Sequence, residues 1–120
     1  MMKIAYASRT GNVESIVNQL DQDSIYISSG TETIDEPYIL FTYTDGWGDV
    51  PFEVETFLAI NDPSLLQGVV ASGDYSYGDA YCLAGDKIAE AYNSEVLYRV
   101  ENDGTDEDIA KIRELTSAKA

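Results

Sequence analysis

MMKIAYASRTGNVESIVNQL, Met1 to Leu20, decides how the rest of the chain is read. Met1 to Ala7 is an apolar run with the character of a buried strand, and Val13, Ile16, Val17 and Leu20 recur at the spacing of one helical face. Between them lies SRTGN, Ser8 to Asn12, small and polar, with Arg9 as its sole cation. A strand that passes through a short loop into a helix is the opening unit of a parallel α/β sheet.

The same alternation continues. Further strands are predicted over Ser24 to Ile27, Pro37 to Tyr43, Gly68 to Ala71 with its flanks, and Glu95 to Val100. Helical spacing covers Asn12 to Leu20, Phe52 to Ile60, Asp79 to Tyr92 and Asp106 to Leu115. This predicts one α/β domain over residues 1–120, with a parallel sheet covered on both faces. One connection is too short for the scheme. Ser28 to Glu36 (SSGTETIDE) is shorter than the dozen or so residues a helical crossover takes, so an irregular loop is expected there.

Composition removes several functions. The 120 residues suffice for one hydrophobic core. Lys and Arg number 7 against 22 Asp and Glu, giving a formal net charge of -15, which repels nucleic acid and anionic membrane surfaces and suits a basic partner. His is absent and Cys82 is the only Cys, so one chain cannot assemble thiolate zinc sites, His-bound metals or the usual Ser/His/Asp and Cys/His groupings. No metal site is expected, although an all-carboxylate one remains possible. The single Cys and an N-terminus without a long apolar stretch point to the cytoplasm.

In an open parallel sheet, ligands collect beyond the carboxyl ends of the strands where strand order reverses. That singles out the loops after strands one, three and four: Ser8 to Asn12, Thr44 to Pro51 (TDGWGDVP) and Ser72 to Tyr81 (SGDYSYGDAY). The first, opening a helix, offers free backbone N–H groups and the positive end of the helix dipole to an anion, with Ser8, Thr10 and Asn12 as side-chain donors. Ordinary helix capping by Thr10 or Asn12 is the competing account. It matches neither G-x-x-x-x-G-K-[ST] nor G-x-G-x-x-G. Trp47 in the second loop and Tyr75, Tyr77 and Tyr81 in the third offer aromatic faces to a flat ring, or else cover the sheet's end. Taken together, the loops predict a planar ligand with a phosphate tail.

These stretches resemble known ones. SRTGNVE looks like the flavodoxin phosphate loop T/S-x-T-G-x-T/S, with Val13 in place of the last hydroxyl. TDGWGD resembles the family's tryptophan loop, and SGDYSYGDAYC its second flavin loop, G-D-x-x-Y-x-x-x-F-C. The resemblance implies a flavodoxin-like three-layer fold, strand order 2-1-3-4-5, and flavin mononucleotide (FMN) as cofactor. It implies that Ser8, Arg9, Thr10, Gly11 and Asn12 hold the phosphate. Trp47 and Tyr77 would flank the isoalloxazine, with Thr44, Asp45, Gly46 and Gly48 completing the tryptophan loop. Ser72, Gly73 and Asp74 would bond the pyrimidine edge, and Tyr81 takes an aromatic position near the ring. Cys82 is read as core packing, because nothing in the sequence gives it a redox partner.

The clipped second crossover and the Asp45-Gly46 turn ahead of Trp47 further resemble NrdI, the compact flavodoxin-like family that serves class Ib ribonucleotide reductase. In that family reduced flavin reacts with dioxygen, and the oxidant, superoxide or peroxide, passes to the dimanganese centre of the radical-bearing small subunit. A flavodoxin reductase or similar donor would recharge the flavin. No catalytic side chain is expected; the backbone at Gly46 is the candidate to face the flavin N5, since Gly tolerates positive φ, and Gly46→Val should disfavour the half-reduced flavin. An Asp about 8 Å from an anionic reduced flavin would cost about 2 kcal/mol at an effective dielectric near 20. That is about 85 mV for one electron, with Asp45, Asp49, Asp74 and Asp79 as candidates.

Two other functions fit in part. A general flavodoxin, a one-electron carrier between a reductase and another acceptor, would use the same loops. A phosphorylation-controlled receiver domain has a similar alternation but needs an acidic pair after strand one, an Asp after strand three and a Lys after strand five. This chain has Ser8-Arg9, Asp45 and Arg99-Val100-Glu101 there.

Overall fold

The opening unit folds as its pattern requires. In the computed structural model, which describes residues 2–119, Lys3–Tyr6 forms β1 and Asn12–Leu20 forms α1. The turn between them depends on Gly11, whose φ of 93° is left-handed and costs glycine little. Val13, Ile16, Val17 and Leu20 are buried on one face of α1. The chain continues through β2 (Ser24–Tyr26), β3 (Tyr38–Tyr43), α2 (Phe52–Ile60), β4 (Leu66–Gly73), α3 (Leu83–Ala91), β5 (Val96–Glu101) and α4 (Asp106–Lys119). Short 3-10 turns occupy Pro63–Leu65 and Tyr75–Ala80.

The strands form one parallel sheet in the order β2-β1-β3-β4-β5, the order implied by the flavodoxin resemblance. Alternation along β3 sorts its side chains into two cores. Ile39 and Phe41 join Ile4, Val70 and the buried faces of α1 and α4, while Tyr38 and Leu40 join Val69, Val54, Phe57 and Ile88 from β4, α2 and α3 on the opposite face. Every strand residue in those lists from β3 is at most 1% exposed, the signature of a sheet covered on both sides. Helix α3 comes unusually close: a Cβ on Gly85 would lie 2.8 Å from the Cβ of Ala71.

Element edges differ from expectation for local reasons. The first strand is shorter than Met1 to Ala7, and Met1 lies outside the described residues. β2 ends at Tyr26 instead of Ile27, β3 starts after Pro37, which has no N–H to give a ladder, and β5 runs Val96–Glu101 instead of Glu95 to Val100. The helix expected over Asp79 to Tyr92 begins only at Leu83. Tyr75–Ala80 coils as a 3-10 turn, and Cys82 enters the helix at φ 56°, a left-handed value that breaks helical continuity. α4 extends beyond Leu115 to Lys119.

The connection from β2 to β3 contains no helix. Its shape is held by polar contacts. The Glu32 carboxylate accepts from the N–H groups of Ser28 (2.9 Å), Ser29 (3.2 Å) and Gly30 (2.9 Å). Asn61, buried at the end of α2, accepts from the Ile34 N–H at 2.9 Å and donates to the Glu32 carbonyl at 3.1 Å. A short loop thereby covers sheet surface that a crossover helix would otherwise take.

Candidate functional site

Beyond the carboxyl ends of β1, β3 and β4 lies an open cleft of about 120 Å³. It is lined by Ser8, Arg9, Thr10, Asn12, Val13, Tyr43, Thr44, Gly46, Ser72, Gly73, Asp74, Tyr77, Ala80 and Asn102. The three loops singled out in the sequence therefore meet at one place. Gly11, Asp45, Trp47, Gly48 and Tyr81 stand outside the lining, the two glycines supplying positive φ to their loops.

The first loop has the chemistry of an anion site. Among the described residues, no backbone or side-chain acceptor takes the N–H groups of Arg9, Thr10, Gly11, Asn12 or Val13. The helix dipole adds partial positive charge at the same end. Capping by Thr10 or Asn12 does not occur: α1 has no side-chain bond at its N-cap, and the Ser8 hydroxyl instead accepts from the Glu14 N–H at 3.2 Å. Tyr26 donates to the Ser8 carbonyl at 3.4 Å, tying the loop to the edge strand.

Arg9 does not stay with that loop. Its guanidinium lies 2.8 Å from the Asp45 carboxylate and 5.0 Å above the Tyr43 ring centroid. Bonded to Asp45 above all, the guanidinium is held even more firmly protonated than usual. Tyr43, at the end of β3, donates its hydroxyl to Glu53 at 2.7 Å; burial first and then that bond push its pKa up.

The second loop is a tight hairpin-like turn. Asp45 and Asp49 pair backbone to backbone, with the Asp45 N–H donating to Asp49 at 2.8 Å and the Asp49 N–H returning to Asp45 at 2.8 Å. Gly46 (φ 49°) and Gly48 (φ 109°) supply the left-handed backbone. Space around Gly46 is open, with nothing within 4 Å of where a Cβ would stand. Gly48 instead sits on Leu83.

The third loop is braced from β5. The Ser72 hydroxyl donates to the Asn102 carbonyl at 2.6 Å, the Asn102 N–H donates to the Gly73 carbonyl at 2.7 Å, and the Tyr75 N–H donates to the Glu101 carboxylate at 3.1 Å. Thr44 joins in, donating to the Ser72 carbonyl at 3.2 Å. The Ser72 hydroxyl is thus committed within the protein. Asp74 accepts from the Ser76 N–H at 2.8 Å, and the Ser76 hydrogen bonds hold its carboxyl below the usual range. Tyr81 packs on Tyr75 with ring centroids 4.6 Å apart and does not reach the cleft. Cys82 is fully buried, its Sγ donating to the Ala71 carbonyl at 3.3 Å, and burial pushes its thiol up to about 11.

A phosphate fits the donor set of the first loop as it stands. A flat ring needs more room. Trp47 and Tyr77 touch edge to face, with centroids 4.8 Å apart and planes at 75°, whereas a ring stacked between two faces separates them by about 7 Å. At about 120 Å³ the cleft is smaller than the roughly 300–1,000 Å³ of typical ligand pockets. Trp47 is 74% exposed and sits on a glycine-flanked turn, so parting it from Tyr77 breaks little else.

Tyr43, Val13, Ala80 and Asn102 line the cleft without having been singled out. Asn102 had a signal: ENDG, Glu101 to Gly104, is a turn sequence at the carboxyl end of β5, beside the third loop in the sheet order. Among the described residues, no three His, Cys, Asp or Glu converge as a metal set, and no helix is long and apolar enough to cross a membrane.

Solved structures share the fold. A short-chain flavodoxin associated with a non-canonical PDU bacterial microcompartment superposes with a TM-score of 0.73 at 19% identity, covering 99% of this chain and 98% of that one. A Fusobacterium nucleatum flavodoxin bound to flavin mononucleotide does so at 0.68 and 14%, covering 98% and 96%. Sequence relatives are closer. Protein NrdI of Bacillus licheniformis is 38% identical over 109 residues, covering 91% of this chain and 82% of the relative. Protein NrdI of a Ruegeria species is 38% identical over 117 residues, covering 92% and 84%. The family model described as NrdI Flavodoxin like matches residues 4–114, and with it the fold, the loop motifs and these relatives agree: the chain belongs to the NrdI flavodoxin-like family.

Proposed function

We propose that this chain holds FMN in the cleft and, reduced, supplies the oxidant with which the dimanganese small subunit of a class Ib ribonucleotide reductase builds its radical cofactor. The observation that carries the reading is the run of N–H groups from Arg9 to Val13 that meet no acceptor among the described residues, in a loop that lines the same cleft as Thr44, Gly46 and Tyr77. Membership of the family supports the assignment.

Ser8, Thr10, Gly11 and Asn12 hold the phosphate through backbone N–H groups and short polar side chains, which neutralises a dianion by hydrogen bonds and dipole in place of lysines. Trp47 and Tyr77 part to take the ring. Gly73 and Asp74 face its polar edge, and the Gly46 peptide, in open space at positive φ, faces the ring nitrogen that gains a proton on reduction. Bound flavin supplies the electron chemistry and the reactivity with dioxygen. The chain's part is to place the ring at an exposed aromatic rim that a partner can cover. A reductase or similar donor recharges it, in the cytoplasm.

The test is direct. The purified chain is denatured and its released cofactor identified by chromatography and mass; reconstituted protein is then reduced without air and mixed with air and a manganese-loaded class Ib small subunit. FMN together with a tyrosyl radical in the subunit is the expected result. FMN without a radical, but with electron transfer to other acceptors, leaves the one-electron carrier. A chain that takes up no flavin overturns both.

A further inference from the structure

Arg9 is the only cation in the anion loop, and the loop motif would place it on the phosphate. In the structure Arg9 still lines the cleft, but its guanidinium is committed to the second loop. Its guanidinium is 2.8 Å from Asp45, at the head of the Asp45–Asp49 turn, and 5.0 Å over the ring of Tyr43, which Glu53 holds through the tyrosine hydroxyl at 2.7 Å. An arginine that meets a carboxylate while lying on an aromatic face uses its charge and its flat surface together. A phosphate has other donors there, since among the described residues no acceptor takes the N–H groups of Arg9 to Val13.

We infer that Arg9 is a positioning residue for the ring end of the site: acting through Asp45, it fixes the turn that carries Gly46 and Trp47, and leaves the phosphate to the backbone. This rests on the flavin reading above. The pair links the first loop to the second, where among the described residues no other side-chain hydrogen bond or ion pair joins them. It also offsets one of the two carboxylate charges that close the turn. Because both partners are about half exposed, the contribution is modest and sensitive to salt.

FMN and riboflavin separate the two ends, because only FMN carries the phosphate. Their dissociation constants are measured by flavin fluorescence for wild type, Arg9→Gln, Asp45→Asn, the double variant and Arg9→Lys. Acrylamide quenching of Trp47, the chain's only Trp, reads the turn before ligand is added. The expected result is that Arg9→Gln and Asp45→Asn each weaken both flavins by the same factor, about three- to tenfold at low salt, and that the double variant is no worse than either single one. Trp47 becomes more quenchable in both, and Arg9→Lys recovers part of each loss.

An arginine that serves the phosphate gives the opposite pattern. Arg9→Gln would weaken FMN and spare riboflavin, and Asp45→Asn would tighten FMN by freeing the cation; either result overturns the proposal, as does unchanged Trp47 quenching. A wild-type chain that binds neither flavin ends the flavin reading itself, and the proposal with it.

Discussion

The turn beside the cleft contains two left-handed glycines that look alike in the sequence and differ in their surroundings, and alanine at each should separate backbone strain from packing. At Gly46, φ is 49° and a Cβ would meet nothing within 4 Å, so Gly46→Ala carries only the left-handed penalty, about 1–2 kcal/mol. At Gly48, φ is 109°, and a Cβ would stand 2.6 Å from Cδ2 and 3.2 Å from Cβ of Leu83. The Cδ2 can rotate away; the Cβ, fixed at the first residue of α3, cannot. Overpacking of that kind adds about 1–3 kcal/mol, for a total of about 2–5 kcal/mol at Gly48. Both substitutions stiffen the unfolded chain equally, so that effect cancels between them.

A domain of this size loses about 3–5 °C in Tm per kcal/mol, which puts Gly48→Ala roughly 3–15 °C below Gly46→Ala. Urea unfolding followed by circular dichroism and by Trp47 emission gives the two midpoints. Adding Leu83→Ala to Gly48→Ala removes the Cδ2 and Cγ contacts but leaves the Cβ at 3.2 Å, so it should recover only part of the packing cost, giving a coupling energy of about 0.5 kcal/mol or more. Equal destabilisation at the two glycines, or a Leu83→Ala effect that merely adds, would refute this account of the turn.

Other outcomes follow from buried and hydrogen-bonded groups. Cys82, fully buried with its thiol pushed up to about 11 by burial, should resist a disulfide-exchange reagent at pH 8 until the protein unfolds; labelling at the rate of a free thiol would contradict its place in the core. Asp108 is held below the usual carboxylate range by the Tyr98 hydroxyl at 2.6 Å and then by Thr105. Its stabilisation is present above the unfolded pKa of about 3.9 and is lost as pH falls through the lower folded value, so Asp108→Asn should flatten the acid limb of urea midpoint against pH. The same bond pushes Tyr98 up to about 12 from 10.0, so stability should fall as pH rises through that window, and Tyr98→Phe should blunt the alkaline fall. Asn61→Ala removes the Ile34 and Glu32 contacts that hold the short β2–β3 loop, and should cost about 2–3 kcal/mol with early proteolysis within residues 28–37. Unchanged cleavage there would show that the loop is held by other means.

The fold was legible because the sheet is covered on both faces. Apolar runs such as YILFTY, Tyr38 to Tyr43, have one physical reading at that length and in that alternation, and the spacing in α1 and α2 needs no partner to be recognised. What sequence pattern misplaced were the ends. Cys82 illustrates why: it enters α3 at a left-handed φ where the chain passes close to Gly73, at which a Cβ would lie 2.9 Å from the Cys82 nitrogen, and a contact between two chain segments leaves no periodic trace. The missing helix before β3 was visible as a shortage of residues, but of the contacts that replace it only the Glu32 carboxylate's are local, while those of Asn61 reach back from the end of α2 to Ile34 and Glu32.

The cleft divides along the same line. Backbone donors are legible, because a small-residue loop between a strand and a helix leaves N–H groups unpaired whatever the rest of the fold does. Side-chain roles are not, because a side chain goes to the best partner that the tertiary structure brings within reach. Ser72 lies in a flavin-loop motif, yet its hydroxyl serves Asn102, thirty positions along the chain. Arg9 lies in a phosphate-loop motif, yet its charge is drawn to Asp45 across the gap between β1 and β3. Tyr81 fills an aromatic motif position and packs on Tyr75. In each case the motif located the loop and the tertiary surroundings decided the contact. The ring end of this site is therefore built by exchanges between loops, and substitutions there should be read in pairs, Arg9 with Asp45 and Trp47 with Tyr77, since either member alone reports the partner it leaves behind as much as its own loss.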